Sequence, residues 1–187
     1  MSVRTVGIIG AGQLGRMLAL SAVELDLDFV FLDPSKAPGA ARFGRHIQAP
    51  FDNPEALKEL AQSCDALTFE FENIPVSALQ EIRAKLNPNP EALSIAQQRS
   101  VEKAYFESLG IPVARWAAVR SQAELNQAVQ RLGTPLIAKT DRLGYDGKGQ
   151  VRLYDESDAV GLYERMGSQD LCLESFVDFD YELSIVG

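Results

Sequence analysis

The 187 residues are 46% hydrophobic and 24% charged, a balance that supports one large domain or two small ones and excludes a disordered tail. A formal net charge of −8 excludes sequence-independent nucleic-acid binding, which needs clustered Lys and Arg. It leaves room for a small anionic ligand held by local backbone donors and a few cations.

In chain order, Val6-Gly7-Ile8-Ile9 reads as a buried parallel strand. Gly10, Gly12 and Gly15 follow, and Met17, Leu18, Leu20, Ala22 and Leu25 are spaced as the apolar stripe of a helix. Phe29 to Leu32 is a second apolar run, closed by Asp33-Pro34, and completes a βαβ unit. His46 to Gln48 is a weak third strand. Asn53-Pro54 opens a helix with a capping residue and a first-position proline. Ala66 to Phe69 is a fourth strand, and a helix runs from about Val76 to Lys85. This alternation implies an α/β fold with a parallel sheet covered on both faces. The unit is expected to end near Asn87-Pro88-Asn89-Pro90, where two prolines exclude regular structure.

A single helix is then expected from about Glu91 to Leu109, carrying Arg99 and Lys103 and stopping at Gly110. Pro112 to Val119 reads as extended. Ser121 caps a helix that Gly133 stops, and Pro135 to Lys139 is a strand with a lysine at its end. A glycine-rich hairpin over Gly144 to Gln150 leads to a returning strand, Val151 to Tyr154. A short helix over Asp158 to Met166 follows, and strands over Leu171 to Leu173 and Tyr181 to Val186 close the pattern. Cys64 and Cys172 stand far apart and outside any CxxC, so both read as small buried hydrophobes. No apolar stretch reaches the roughly 18 residues of a membrane span. Met1 to Ile9 enters a strand pattern without a signal-peptide core, so a cytoplasmic protein with no membrane partner is expected.

Four motifs carry chemistry. Gly10-Ala11-Gly12-Gln13-Leu14-Gly15 is a GxGxxG between strand and helix, with Asp33 about 18 residues beyond, as in a dinucleotide fingerprint. The same glycines serve any ligand that approaches that helix, so the motif alone leaves a nicotinamide cofactor open. Phe69-Glu70-Phe71-Glu72-Asn73 lies at the carboxyl end of a strand, where open parallel sheets bind ligands. Lys139 to Gln150 places three glycines, Gly144, Gly147 and Gly149, within six residues between basic side chains. Without Cβ atoms their N–H groups can approach an anion closely, and Lys139 adds a point charge. Glu174 to Val177 offers extended backbone to a base edge. Glu182 and Ser184, expected on one face of the last strand, offer a carboxylate to a ribose diol.

GAGQLGRML, FLDP at 31–34, TFEFEN at 68–73, LGYDGKGQ at 143–150 and LESFVDFDYELS at 173–184 together resemble the N5-carboxyaminoimidazole ribonucleotide synthetases of the ATP-grasp superfamily. The resemblance implies a Rossmann-like pre-ATP-grasp domain over 1–98, then the ATP-grasp lid and the first strands of the ATP-grasp body over 99–187. It implies a ligase of purine synthesis that uses ATP to turn bicarbonate into carboxyphosphate and transfers the carboxyl group to 5-aminoimidazole ribonucleotide. On this chain, ATP would be met by Arg99 and Lys139, by the lid loop Gly144, Tyr145, Asp146, Gly147, Lys148, Gly149 and Gln150, by the hinge Glu174, Ser175, Phe176 and Val177, and by Glu182. Tyr145 and Asp146 would face the carboxylation centre, and Gln13, Leu14 and Glu72 the ribonucleotide.

The resemblance also implies Mg²⁺ as cofactor and a homodimer. The family's metal ligands, a Glu and an Asn, fall in a second half that these residues do not include. No metal ligand is therefore expected here, and the chain is expected to be an N-terminal portion, inactive alone. Three other readings stand beside this one: an NAD(P)-dependent oxidoreductase, which leaves the Lys139 to Gln150 cluster unexplained, a non-catalytic binding module, and an ATP-grasp ligase with a different acceptor.

Overall fold

In the computed structural model, which describes residues 4–144 and 149–185, the chain divides into two units, Met1–Ala96 and Gln97–Gly187. The first is built on a four-stranded sheet of β1 (Thr5–Ile9), β2 (Asp28–Asp33), β3 (Arg45–Gln48) and β4 (Ala66–Phe69), in the order β3-β2-β1-β4. Every pair is parallel, and the register sets Ile8 beside Phe31 and Thr68. Because strand side chains alternate, this register sorts the apolar residues onto two faces. Ile9, Val30, Leu32 and Leu67 face Ala56, Leu57 and Leu60 of α2 (Pro54–Ser63). Ile8 and Phe31 form the opposite core with Ala11, Ala19 and Ala40. Both faces are covered, as the near-continuous hydrophobic strands predict.

Helix α1 (Gln13–Ser21) departs from its expected stripe. Only Gly15 and Ala19 are buried, while Leu14, Met17, Leu18 and Leu20 are exposed. Small residues one turn apart let the helix lie close to the strand loop: a Cβ on Gly15 would come within 3.1 Å of the Gly10 carbonyl oxygen. The opening of α2 matches its reading, with Pro54 in the first turn and Asn53 Oδ1 accepting from the Ala56 N–H at 2.9 Å. The segment Val76–Lys85 is a 3-10 helix and not an α-helix. Its buried residues, Leu79 and Ile82, are three apart, the spacing that eclipses on a 3-10 turn. Pro90 does not forbid structure. It begins α3 (Pro90–Ala96), where its missing N–H costs nothing, and Asn89 Oδ1 accepts from the Ala92 N–H at 3.0 Å.

The single helix expected over 91–109 is two. α3 ends at Ala96 and α4 (Arg99–Ser108) begins anew, its first amides bound to Asp141: the Arg99 N–H donates to the Asp141 carbonyl, and the Ser100 N–H donates to its carboxylate. The second unit carries a sheet of β5 (Trp116–Val119), β6 (Leu136–Thr140), β7 (Gln150–Leu153) and β8 (Leu171–Ser175), in the order β5-β8-β6-β7 and antiparallel throughout. α5 (Gln122–Leu132), capped by Ser121 and ended by Gly133 at φ +74, packs Leu125, Ala128, Val129 and Leu132 on one sheet face. That face is Ala117, Val119, Leu136, Ala138, Leu153, Leu171 and Leu173.

Two further expectations change here. The helix read over 158–166 is a 3-10 turn, Glu156–Ala159, followed by the short α6 (Leu162–Arg165). Gly161, left-handed at φ +64, separates them. Residues 181–185 form no strand, since no described strand pairs with them, and Tyr181, Leu183 and Ile185 are exposed. Glu182 and Ser184 therefore do not share a strand face, and Val186 lies outside the described residues.

Cys64 and Cys172 are both buried. Burial pushes the Cys64 thiol up to about 11, against the opposing pull of Arg45 and Lys85, and the Cys172 thiol up to about 12. Only the thiolate reacts. At pH 8 neither cysteine should react with Ellman's reagent in the native chain, and both should react after unfolding in guanidinium. Fast native labelling of either would contradict this packing.

Candidate functional site

The glycine loop of the first unit is held by carboxylates. The Gly10 N–H donates to the Leu32 carbonyl at 2.8 Å, the Ala11 N–H to Asp33 Oδ2 at 2.9 Å, and the Gly12 N–H to Glu70 Oε1 at 2.9 Å. Asp33 spends its other oxygen on the Ser35 N–H at 2.8 Å. A dinucleotide would need these loop amides for its pyrophosphate and the acid for its ribose; here Asp33 and Glu70 take the Ala11 and Gly12 amides, and the Ala11 and Ser35 amides take Asp33. The loop geometry thus counts against the nicotinamide reading. Gly10, at φ +102, has no room for a side chain, because a Cβ would lie 2.7 Å from Glu70 Cγ.

Gln13 and Leu14 are exposed in the first turn of α1. Glu72 is exposed in the loop after β4, where its Oε1 accepts from Asn73 Nδ2 at 3.0 Å. Glu70 meets the glycine loop and received no separate role in the sequence reading. Its position directly after β4, at the carboxyl edge of a parallel sheet, was the available signal. A cavity of about 520 Å³ also lies in this unit, between α2 and the 76–85 segment, and none of these motif residues lines it. Its Lys85 ammonium is already bound to the Ala61 and Cys64 carbonyls, each at 2.7 Å.

In the second unit, strand register assembles a polar face opposite the α5 core. Ile137 stands between Arg152 and Glu174, and Lys139 between Gln150 and Cys172. Period-two alternation therefore puts Lys139, Gln150, Arg152 and Glu174 on one side of the sheet. They line a cleft of about 380 Å³ together with Ser175, Phe176, Val177, Phe179 and Glu182. Arg152 lies over the Phe176 ring, 5.7 Å from its centroid, a cation–π contact at the cleft wall. The Ser175 hydroxyl is buried and has no hydrogen-bond partner among the described residues.

Glu174 is nearly buried and receives two lysines on one oxygen: Lys139 Nζ at 3.0 Å and Lys103 Nζ at 3.4 Å. Lys103 received no site role in the sequence reading. Its i+4 spacing from Arg99, which places both on one face of a helix, was the signal. Arg99 itself sits at the root of the glycine hairpin, donating from Nη1 to the Thr140 carbonyl and from Nη2 to the Gly144 carbonyl, both at 2.8 Å. At the hairpin's other end the Thr140 N–H donates to the Gly149 carbonyl at 2.8 Å. Gly149 is left-handed, at φ +71, and a Cβ there would lie 2.8 Å from Thr140 Oγ1. Tyr145, Asp146, Gly147 and Lys148 lie outside the described residues.

Asp141 supports this arrangement from beneath. It is 2% exposed and accepts from the Ser100 N–H (2.8 Å), Ser100 Oγ (2.7 Å) and Gln98 Nε2 (2.7 Å). Gln98 Oε1 in turn accepts from Arg142 at 3.1 Å. A carboxylate at the first turn of α4 also complements the helix dipole. Among the described residues, no three His, Cys, Asp or Glu side chains come together as a metal site. No helix there is long and apolar enough to cross a membrane.

The ribonucleotide synthetase preATP-grasp domain family matches residues 3–97, and the ATP-grasp domain family matches residues 104–187. The chain belongs to the ribonucleotide synthetase preATP-grasp family. It is 44% identical over 183 residues to an N5-carboxyaminoimidazole ribonucleotide synthase of Pseudomonas aeruginosa, covering 97% of this chain and 51% of that protein. Among solved structures, an ADP complex of an N5-carboxyaminoimidazole ribonucleotide synthetase superposes with a TM-score of 0.89 at 39% identity, over 95% of this chain and 48% of that one. An Aspergillus clavatus synthase in complex with ADP and 5-aminoimidazole ribonucleotide gives 0.83 at 30% identity, over 95% and 47%. The chain thus spans about half the length of the relatives it matches. In this family setting the α/β fold is a preATP-grasp sheet followed by ATP-grasp elements.

Asp141→Ala removes three hydrogen bonds to a buried carboxylate and strips the Ser100 amide and hydroxyl of their acceptor. It should lower stability in denaturant unfolding by about 2–4 kcal/mol. A change within about 0.5 kcal/mol would show that α4 is anchored elsewhere.

Proposed function

We propose that this chain carries the nucleotide-holding elements of an ATP- and bicarbonate-dependent ligase of purine synthesis, one that carboxylates 5-aminoimidazole ribonucleotide. A bicarbonate oxygen attacks the γ-phosphorus of ATP, ADP leaves, and carboxyphosphate forms. The exocyclic amine of the ribonucleotide then takes the carboxyl group, losing a proton, and inorganic phosphate departs. The observation that carries this reading is the gathering of Lys139, Gln150, Glu174, Phe176, Val177 and Glu182 around one cleft. Similarity to synthases whose structures hold ADP, and in one case 5-aminoimidazole ribonucleotide, supports it.

Each residue then has a chemical task. Lys139 places an ammonium against the triphosphate, while Arg99 holds the root of the glycine hairpin so that Gly144, Gly147, Lys148 and Gly149 can close over it. The backbone of Glu174, Ser175, Phe176 and Val177 reads the base edge, with Arg152 backing the Phe176 ring. Glu182 accepts from the ribose hydroxyls. Tyr145 and Asp146 face the reacting amine, Asp146 as the group that orients or deprotonates it. Gln13, Leu14 and Glu72 line the ribonucleotide side of the first unit.

Magnesium, where bound, would neutralise the charge that develops on the phosphates. Among the described residues no three His, Cys, Asp or Glu side chains gather as a ready-made cage for it. The reading includes a homodimer in the cytoplasm. In that setting the exposed apolar residues of α1 are consistent with a surface that meets other protein.

Separate titrations with ATP and NADH test the proposal. ATP should bind and NADH should not, and Lys139→Met should weaken ATP by about 1.5–3 kcal/mol, roughly tenfold or more. NADH binding without ATP binding would return the oxidoreductase reading.

A further inference from the structure

One carboxylate oxygen with two lysines is more than pairing requires. Glu174 has only 11% of its side chain exposed, Lys103 15% and Lys139 26%, so all three are drawn largely out of water. Buried lysines are rare unless paired. A single ammonium would balance the Glu174 charge; the second leaves this cluster with one net positive charge.

We propose that Lys103 is a positioning residue: it keeps Glu174 paired when Lys139 turns from that carboxylate to the phosphate of a nucleoside di- or triphosphate. The proposal rests on the reading of the cleft as a nucleotide site. Lys139 is the shorter contact and the more exposed of the two lysines, and it lines the cleft. An arriving phosphate competes with Glu174 for its three N–H donors. With no second cation, a gain at the phosphate would leave a desolvated carboxylate unpaired, and that is the state buried ion pairs penalise most heavily. Lys103 removes the penalty.

The start of its helix is held by contacts within the protein. Lys103 stands on α4, whose first turn is fixed by Asp141 through the Ser100 amide and hydroxyl. Arg99, one turn earlier, is committed to the Thr140 and Gly144 carbonyls. Lys103 is thus the cation of this helix that the geometry assigns to Glu174.

ATP titrations of the 187-residue chain with Lys103→Met, Lys103→Arg, Glu174→Gln and the Lys103→Met/Glu174→Gln pair test this. Lys103→Met should weaken ATP about tenfold or more, and Lys103→Arg should recover most of the loss. In the Glu174→Gln background, where no buried carboxylate needs a partner, Lys103→Met should cost less than about twofold, a coupling that a double-mutant cycle isolates. Wild-type affinity in Lys103→Met overturns the proposal. Equal losses in both backgrounds also overturn it, because Lys103 would then meet the phosphate directly, and a loss that arginine does not rescue points to packing alone. Absence of ATP binding by the unmodified chain overturns the nucleotide reading beneath it, an outcome distinct from all of these.

Discussion

The second unit depends on a division of labour between the two faces of one antiparallel sheet. Leu136, Ala138 and Leu173 must point at α5 to bury apolar surface, so Ile137, Lys139 and Glu174 must point the other way. A slip of one residue would bury Lys139 and expose Leu136 in β6, or bury Glu174 and expose Leu171 and Leu173 in β8. Hydrophobic burial thereby fixes where the charges go, and the Glu174 ion pair follows from packing on the opposite face. α4 then brings Lys103 to the same oxygen, and α4 starts where it does because Asp141 gathers its first amide.

The same reasoning explains which features were legible in the sequence. The four parallel strands, the Asn53 and Ser121 caps and the Gly133 stop are local signals, each readable from a few neighbouring residues. The α1 stripe misled because apolar spacing alone does not say which side of a helix approaches a sheet; the crowding at Gly15 decided that. The break between α3 and α4 was hidden because its cause, Asp141, lies more than forty residues away. Pro90 illustrates the opposite error, since a proline ends regular structure in a helix interior but begins it at a first turn. For the candidate site, the glycine hairpin and the 174–177 segment stood out by composition. Lys103, Asp141 and Arg152 did not, because each acquires its meaning from a partner that only tertiary structure supplies.

The two glycine motifs have different physical characters. In the first unit the amides of Ala11 and Gly12 are satisfied by Asp33 and Glu70, so the tight turn binds the protein's own acids and becomes part of the framework. GxGxxG there records a close approach between loop, helix and sheet, which is a weaker statement than phosphate binding. In the second unit the hairpin is held at its ends, by Arg99 on the Thr140 and Gly144 carbonyls and by the Gly149 carbonyl on the Thr140 amide. Similar compositions thus serve opposite ends: one loop is filled from within, and the other is anchored at its roots.

Charge gives the last step. A chain of net charge −8 would be expected to repel a polyphosphate, yet Arg99, Lys103, Lys139 and Arg152 come from α4 and the polar side of one sheet. Repulsion from distant carboxylates is screened over about 8 Å at physiological ionic strength. Near Lys139, the local cations and the acids among them, Glu174, Asp141 and the Glu182 of the same cleft, set the potential. Net charge therefore governs solubility, while the site is governed by which side chains the sheet register places together. Glu174 moderates that cluster: it allows two lysines to be held side by side out of water, at a separation their mutual repulsion would otherwise forbid.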